Sequence, residues 1–140
     1  MGWQGEMDGQ SERASERLIA IDTSSLRRFL SGESGPDVDL VRGAIADGTA
    51  TLPPAVVCEV LSDPGLPPAL VDDIATLPVL DVHDGFWFRA GLLRARLIKA
   101  GNKANIADTL IAQSCIDHQL SLITHDRDFR HFSSHGLKLA

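Results

Sequence analysis

Two aspartates follow apolar runs that are typical of buried strands. Asp22 comes directly after residues 18–21, and Asp126 lies two residues past Thr124, where the run 120–124 ends. The carboxyl ends of parallel strands meet at one edge of a sheet, and open α/β folds bind their ligands there. We therefore expect both carboxylates at the same edge, in a position to do chemistry.

Two further acids stand among apolar residues. Glu59 lies inside the stretch 55–61, where an acid is costly to bury unless a positive group meets it. Asp108 stands in the first turn of a predicted helix for which Asn105 is the N-cap. A fifth acid, Asp128, lies two residues past Asp126, after the apolar run that ends at Thr124. These are the candidate functional residues.

Each acid also has a purely structural interpretation. Asp22 could cap the helix that starts at Thr23, and Asp108 at the third helical position would suit a capping box and the helix dipole. Glu59 could face solvent on an amphipathic helix, and Asp128 could cap a short turn. The four main acids favour function when taken together, because three of them flank apolar cores and not polar faces.

If four carboxylates converge, their chemistry is restricted. They repel one another and cannot all stay ionised unless cations bind or their pKa values rise. A ligand set made only of hard oxygen atoms suits Mg²⁺ or Mn²⁺ and not zinc. Such ions orient a phosphodiester, lower the pKa of a bound water and stabilise the leaving oxygen.

The elements that must position these acids alternate along the chain. Strands are predicted at 18–21, 49–53, 78–82, 120–124 and 137–140. Helices are predicted at 23–32, 36–48, 54–62, 66–77, 84–100 and 105–119. This alternation predicts an α/β fold with a central parallel sheet covered by helices on both faces.

Composition and charge describe one ordinary globular domain. The chain has 140 residues, of which 44% are hydrophobic, and its net charge of −6 argues against wholesale electrostatic binding of nucleic acid. Five basic residues nevertheless occur with no acid among them: Arg89, Arg94, Arg96, Lys99 and Lys103. This basic strip is either a solvated helix face or a surface that follows phosphates.

The remaining features concern compartment. Cys58 and Cys115 lie in apolar segments, where we expect both to be buried as small hydrophobic residues. No apolar run is long enough to span a bilayer, and the first residues have no apolar signal region. We expect a cytoplasmic protein without a membrane partner.

The order of the acid-bearing motifs resembles that of a known family. The motifs are AIDTSSL, VVCEVL, NIADTLIAQS and LITHDRDF, and together they resemble the PIN-domain ribonucleases, in particular the VapC-type toxins of type II toxin–antitoxin pairs. The resemblance covers residues 18–140 as a single PIN-like domain of three layers. Residues 1–17 are polar and lie outside it, and we expect them to form a mobile extension.

The resemblance implies an activity and a site. Asp22, Asp108 and Asp126 would coordinate Mg²⁺ or Mn²⁺, and Glu59 would bind a second ion or the water of the first, with Asp128 in support. The reaction implied is hydrolysis of an RNA phosphodiester to a 5′-phosphate and a 3′-hydroxyl.

The resemblance also implies supporting residues and partners. Thr124 would position an acid or water, Thr23 and Ser24 would orient Asp22 or a phosphate, and the basic strip would bind RNA. A small antitoxin would lie across the site and offer an arginine to the carboxylates, and the toxin would form a homodimer.

Three other interpretations stay open on the sequence alone. An aspartate-dependent phosphatase would use Asp22 as nucleophile, but no lysine follows Thr124 to meet the phosphoryl group. A non-catalytic PIN scaffold would bind metal without turnover. A zinc site would draw on His125, His131 and His135, whose spacing is irregular for a structural zinc motif.

Overall fold

The computed structural model describes residues 18–140, so the predicted mobile extension at 1–17 lies outside the described residues. The strands are β1 (Ile19–Ile21), β2 (Ala50–Thr51), β3 (Ser121–Ile123) and β4 (Lys138–Leu139). The α-helices are α1 (Thr23–Leu30), α2 (Pro36–Asp47), α3 (Pro54–Leu61), α4 (Pro68–Ala75), α5 (Phe86–Lys99) and α6 (Ile106–His118). A 3-10 helix spans Arg127–His135.

The four strands form one parallel sheet, as the sequence predicts. Their order is β2-β1-β3-β4, so β1 and β3 are the central neighbours. Ala20 and Ile21 of β1 are fully buried, and Leu122 and Ile123 of β3 are at most 1% exposed. Since successive strand residues point to opposite faces, both faces of the sheet are covered. The predicted α/β fold class is confirmed.

The predicted strand at 78–82 is reduced to a single bridge between Leu52 and Val79. The bonds around it run from Leu52 N–H to Pro78 O and from Leu80 N–H to Leu52 O, both 2.9 Å. Pro78 has no N–H to give, and Pro53 ends the neighbouring strand, so the ladder cannot continue in either direction.

The longest predicted helix is shorter than the sequence pattern suggests. We predicted 84–100, whereas α5 spans Phe86–Lys99. Gly85 precedes the helix with a φ of 80°, and Gly101 follows it with a φ of 83°. Both backbones are left-handed, a conformation that glycine adopts without strain. The two glycines therefore define the helix ends.

The two cysteines differ in burial, and the prediction for Cys58 is wrong. On α3, Val56 and Val60 are buried at four-residue spacing, and Cys58 lies between them on the exposed face. Cys115 is fully buried, and burial raises its thiol pKa to about 12. Hydrophobicity of a segment did not reveal which helix face the thiol occupies.

The 3-10 helix anchors the acid-bearing loop that follows β3. Its aromatic side chains Phe129 and Phe132 are at most 1% exposed, and their ring centroids lie 5.8 Å apart. Burial of two phenyl rings fixes this segment against the core. The preceding residues 124–126 are thereby held between a buried strand and a 3-10 helix that two buried phenyl rings anchor to the core.

None of the helices within residues 18–140 has both the length and the apolar character needed to cross a bilayer.

Candidate active site

Asp22 is the most enclosed acid of the site. It ends β1 and is 3% exposed. Its Oδ2 accepts hydrogen bonds from Ser24 Oγ at 2.7 Å and from Thr124 Oγ1 at 2.8 Å. The same oxygen accepts the Ser24 backbone N–H at 3.4 Å, which makes Asp22 the N-cap of α1. The predicted capping role of Asp22 is thus confirmed, and the same oxygen is also held from β3.

The two hydroxyls that hold Asp22 are themselves held by the loop after β3. His125 N–H donates to Ser24 Oγ at 3.2 Å, and Asp126 N–H donates to Thr124 Oγ1 at 3.0 Å. Each hydroxyl therefore accepts a hydrogen bond from one backbone N–H and donates a hydrogen bond to the Asp22 carboxylate. This arrangement joins the carboxyl ends of β1 and β3, as the strand-end argument predicts.

Glu59 is held by a residue of α1. Thr23 Oγ1 donates to Glu59 Oε1 at 2.7 Å, and Arg27 Nη2 donates to the Glu59 backbone oxygen at 2.9 Å. The side chain of Glu59 is partly buried. The residues in contact are more than thirty positions apart in sequence, so no local pattern could have revealed the role of Arg27.

Asp108 and Asp126 both lie at the start of a helix, Asp108 in the first turn of α6 and Asp126 as the N-cap of the 3-10 helix. Asn105 Oδ1 accepts the Asp108 N–H at 2.7 Å, and Asn105 Nδ2 donates to Asp108 Oδ2 at 3.0 Å. Asp126 caps the 3-10 helix by accepting the Asp128 N–H at 2.9 Å. Asp128 itself is exposed. The predicted Asn105 cap is confirmed, whereas its second contact, to the carboxylate, was missed.

The Asp108 carboxyl is influenced by the charges of three other acids. The pKa of Asp108 is raised from its ordinary value of 3.8 to about 6, and burial is the largest cause. The negative charges of Asp126, Asp22 and Glu59 raise this pKa further. We call these four residues the acid cluster.

Burial also raises the pKa of Asp22, although hydrogen bonds from Ser24 and Thr124 oppose the shift. At both Asp22 and Asp108, burial therefore prevails over the hydrogen bonds and disfavours the charged form of the carboxylate.

Each carboxylate of the acid cluster keeps one oxygen for another partner. The oxygens that accept the hydrogen bonds described above are Asp22 Oδ2, Glu59 Oε1, Asp108 Oδ2 and Asp126 Oδ1. Within residues 18–140 no side chain donates to the second oxygen of any of them. No group of three or more acidic, histidine or cysteine side chains in that range is close enough to form a ready-made ion site. The four carboxylates influence one another electrostatically, but their oxygens do not converge on a single ion position.

The donor chemistry nevertheless fits a hard cation. All four side chains offer oxygen, and no described thiol or imidazole belongs to the acid cluster. Mutual repulsion, visible in the raised pKa of Asp108, is the force that a cation would relieve. Carboxylates that repel one another stay apart until a cation joins them, so the separation of these four groups is compatible with binding of a cation.

The basic strip does not form one continuous surface. Arg89 makes two bonds to Asp117, at 2.6 and 3.0 Å, and a third to the Asp84 backbone oxygen at 2.7 Å. Arg94 donates to the Ala104 backbone oxygen at 2.8 Å. These two arginines are engaged within the fold.

The rest of the strip is exposed, namely Arg96, Lys99 and Lys103. Sequence spacing grouped five cations that the fold separates into two structural and three exposed ones. The partner of Arg89 is twenty-eight positions away, beyond any local pattern.

A parallel sheet with acids gathered at its carboxyl edge defines an α/β protein of the class that binds ligands at that edge. Comparison with known proteins identifies the family. The model of the PIN domain matches residues 19–134, and the chain therefore belongs to the PIN domain family. No curated protein matches the chain in sequence.

Solved structures share the fold at low sequence identity. VapBC2 from Rickettsia felis, bound to a DNA fragment from its promoter, matches with a TM-score of 0.67 and 20% identity, over 88% of this chain and 97% of that one. DNA-bound VapBC from Salmonella typhimurium matches with a TM-score of 0.67 and 19% identity, over 88% and 96%. FitAcB from Neisseria gonorrhoeae matches with a TM-score of 0.63 and 16% identity, over 87% and 96%.

Proposed function

We propose that this protein is a metal-dependent endoribonuclease of the VapC type, the toxin of a toxin–antitoxin pair. The observation that carries the proposal is the acid cluster, in which Asp108 has a pKa of about 6 partly because Asp126 and Asp22 are charged beside it. Carboxylates whose pKa values are raised by burial and by neighbouring charges are concentrated at functional sites of proteins. Membership of the PIN domain family supports a nuclease in general.

The residues that would hold Mg²⁺ or Mn²⁺ are Asp22, Asp108 and Asp126, with Glu59 binding a second ion or a metal-bound water. When bound, the ion supplies an activated water and charge stabilisation at the phosphodiester. Asp128 is exposed, and its backbone N–H donates to Asp126, so we assign it a supporting role in the loop and not a place among the ion ligands.

The other polar residues fix the carboxylates. Ser24 and Thr124 hold one oxygen of Asp22, and Thr23 holds one oxygen of Glu59. A carboxylate with one oxygen fixed presents the other in a defined direction, and such supporting bonds commonly decide metal affinity. In this proposal the hydroxyls orient acids and do not contact the scissile phosphate.

Binding of RNA follows from charge. The acid cluster repels phosphates unless a cation is present, so the cation must bind before the substrate. The exposed cations Arg96, Lys99 and Lys103 then contact the RNA backbone away from the reacting bond. Arg89 is paired with Asp117 and Arg94 donates its Nε to the Ala104 backbone oxygen, so we assign the main phosphate contacts to the three exposed cations.

Two protein partners belong to the proposal. An antitoxin whose arginine approaches the acid cluster would neutralise it in place of the ion, and the repulsion at Asp108 favours any such cation. The expected homodimer is supported by apolar side chains on the surface of α5 and α6. Trp87 is 67% exposed and Ile106 is 61% exposed, and both line a groove of about 530 Å³ that Glu59 also lines. We expect the pair to act in the cytoplasm.

The test is cleavage of a mixed pool of cellular RNA by the purified chain, with Mg²⁺ or Mn²⁺ and with EDTA. Asp22→Asn is the inactive variant, and Asp39→Asn is its matched control because the Asp39 side chain is 75% exposed on α2. We expect discrete cleavage that needs the ion, is lost in Asp22→Asn and persists in Asp39→Asn. Ion binding without any cleavage would instead identify a non-catalytic PIN scaffold.

A further inference from the structure

Asn105 uses both ends of its side-chain amide on a single residue. Its Oδ1 accepts the Asp108 N–H at 2.7 Å, and its Nδ2 donates to the Asp108 carboxylate at 3.0 Å. A helix N-cap needs only the first of these contacts. The second contact joins two side chains and satisfies no backbone group of the helix, so it calls for an explanation beyond capping.

The surroundings of Asp108 supply that explanation. Its carboxylate faces the like charges of Asp22, Glu59 and Asp126, and a carboxylate free to rotate would turn away from them. The amide donor of Asn105 holds Oδ2 from outside the acid cluster. The other oxygen, Oδ1, accepts no side-chain hydrogen bond within the described chain.

Asn105 is itself held in place by α5. Arg94 Nε donates to the backbone oxygen of Ala104, the residue just before Asn105, at 2.8 Å. The loop between α5 and α6 is thus tied to α5 next to the capping residue. A cap on a tethered loop keeps a fixed direction better than one on a free loop.

We propose that Asn105 is a positioning residue that holds the Asp108 carboxylate oriented for a divalent cation, and that Arg94 fixes the loop carrying it. The proposal rests on the metal-dependent function above and adds two residues to it. Arg94, a predicted phosphate contact, acts here through the backbone.

The test separates positioning from capping. Serine and glycine both serve at an N-cap, yet neither has an amide donor to reach the Asp108 carboxylate. The variants are therefore Asn105→Ser and Asn105→Gly. The matched control is Asn102→Ser, in the same loop, where the Asn102 side chain makes no hydrogen bond within the described structure.

The readout is Mn²⁺ binding measured by electron paramagnetic resonance on the full chain without RNA, together with thermal unfolding in EDTA. Loss of a residue that orients a metal ligand weakens affinity about tenfold or more. We expect both Asn105 variants to bind Mn²⁺ about tenfold more weakly, while Asn102→Ser binds like the wild type. We also expect the melting temperature of Asn105→Ser in EDTA to stay at the wild-type value.

Three results would overturn the proposal, and they are distinguishable. Wild-type Mn²⁺ affinity in both Asn105 variants would overturn the positioning role alone, and RNA cleavage by the wild type would still support the proposed function. Absence of Mn²⁺ binding by the wild type would overturn both. Weaker binding together with a lower melting temperature in Asn105→Ser, but not in Asn102→Ser, would assign Asn105 to the cap only.

Discussion

Replacing Asp108 by asparagine should stabilise the ion-free protein at neutral pH. The substitution removes a charge that burial and neighbouring acids oppose, and the asparagine oxygen can still accept the Asn105 amide. The pKa of Asp108 in the folded protein is about 6, against 3.8 ordinarily. The carboxylate is thus tolerated less well in the folded chain than in the unfolded chain.

The size of the effect follows from that difference in pKa. About two pKa units correspond to about 3 kcal/mol, and solvent screening at this partly exposed carboxyl lowers the figure to about 1–2 kcal/mol. Because the folded-state pKa is raised, the folded state holds the proton more tightly. The penalty is absent below the unfolded pKa of 3.8, grows as the pH rises, and is complete above about 6.

The assay is thermal unfolding in EDTA at pH 4 and pH 8. At pH 8 we expect Asp108→Asn to melt about 3–6 °C above the wild type, and at pH 4 we expect the difference nearly to vanish. Added Mg²⁺ should stabilise the wild type more than the variant, since only the wild type keeps the full acid cluster. Asp39→Asn is the charge control. Equal or lower stability of Asp108→Asn at pH 8 would refute the reasoning.

Three further predictions test other parts of the molecule. Thr124→Ala should lower kcat about tenfold with little change in KM, and Thr124→Ser should restore it, because serine keeps the hydroxyl; steady-state cleavage kinetics measure both. Arg89→Gln should lower the melting temperature by a few degrees, because Asp117 is only 8% exposed and loses its bidentate partner; unchanged melting would contradict the structural role of this arginine. Lys99→Gln and Lys103→Gln should each reduce the salt dependence of RNA binding by about one ion, measured as the slope of log affinity against log salt.

The sequence allowed much of the fold to be predicted, because buried strands and amphipathic helices leave local patterns. β1 is a continuous apolar run and β3 carries buried Leu122 and Ile123, and the ends of these segments located Asp22 and Asp126. The predicted strand at 78–82 was wrong because proline limits its pairing, a limit set by the neighbouring strand and not by the segment alone. Ile106 is apolar and begins α6, yet it is 61% exposed, so residue type alone does not predict which helix face is buried.

The candidate site was less predictable, because its contacts join distant parts of the chain. The acids could be proposed from strand ends and helix starts, which are local features. The hydrogen bond from Thr23 to Glu59 and the pair formed by Arg89 and Asp117 span 36 and 28 positions. Five cations in one segment therefore looked alike in sequence, although the fold uses some of them internally. Which side chains are free depends on tertiary contacts.

The measurement that tests the central claim most directly is the rate of RNA cleavage by the wild type and by Asp22→Asn as Mg²⁺ is titrated into EDTA-treated protein. The account predicts a wild-type rate that rises from zero and saturates with Mg²⁺, products that carry a 5′-phosphate, and no cleavage by Asp22→Asn at any ion concentration. Equal rates for the two proteins, or cleavage that persists in EDTA, would contradict the claim that the acid cluster uses a divalent ion to hydrolyse RNA.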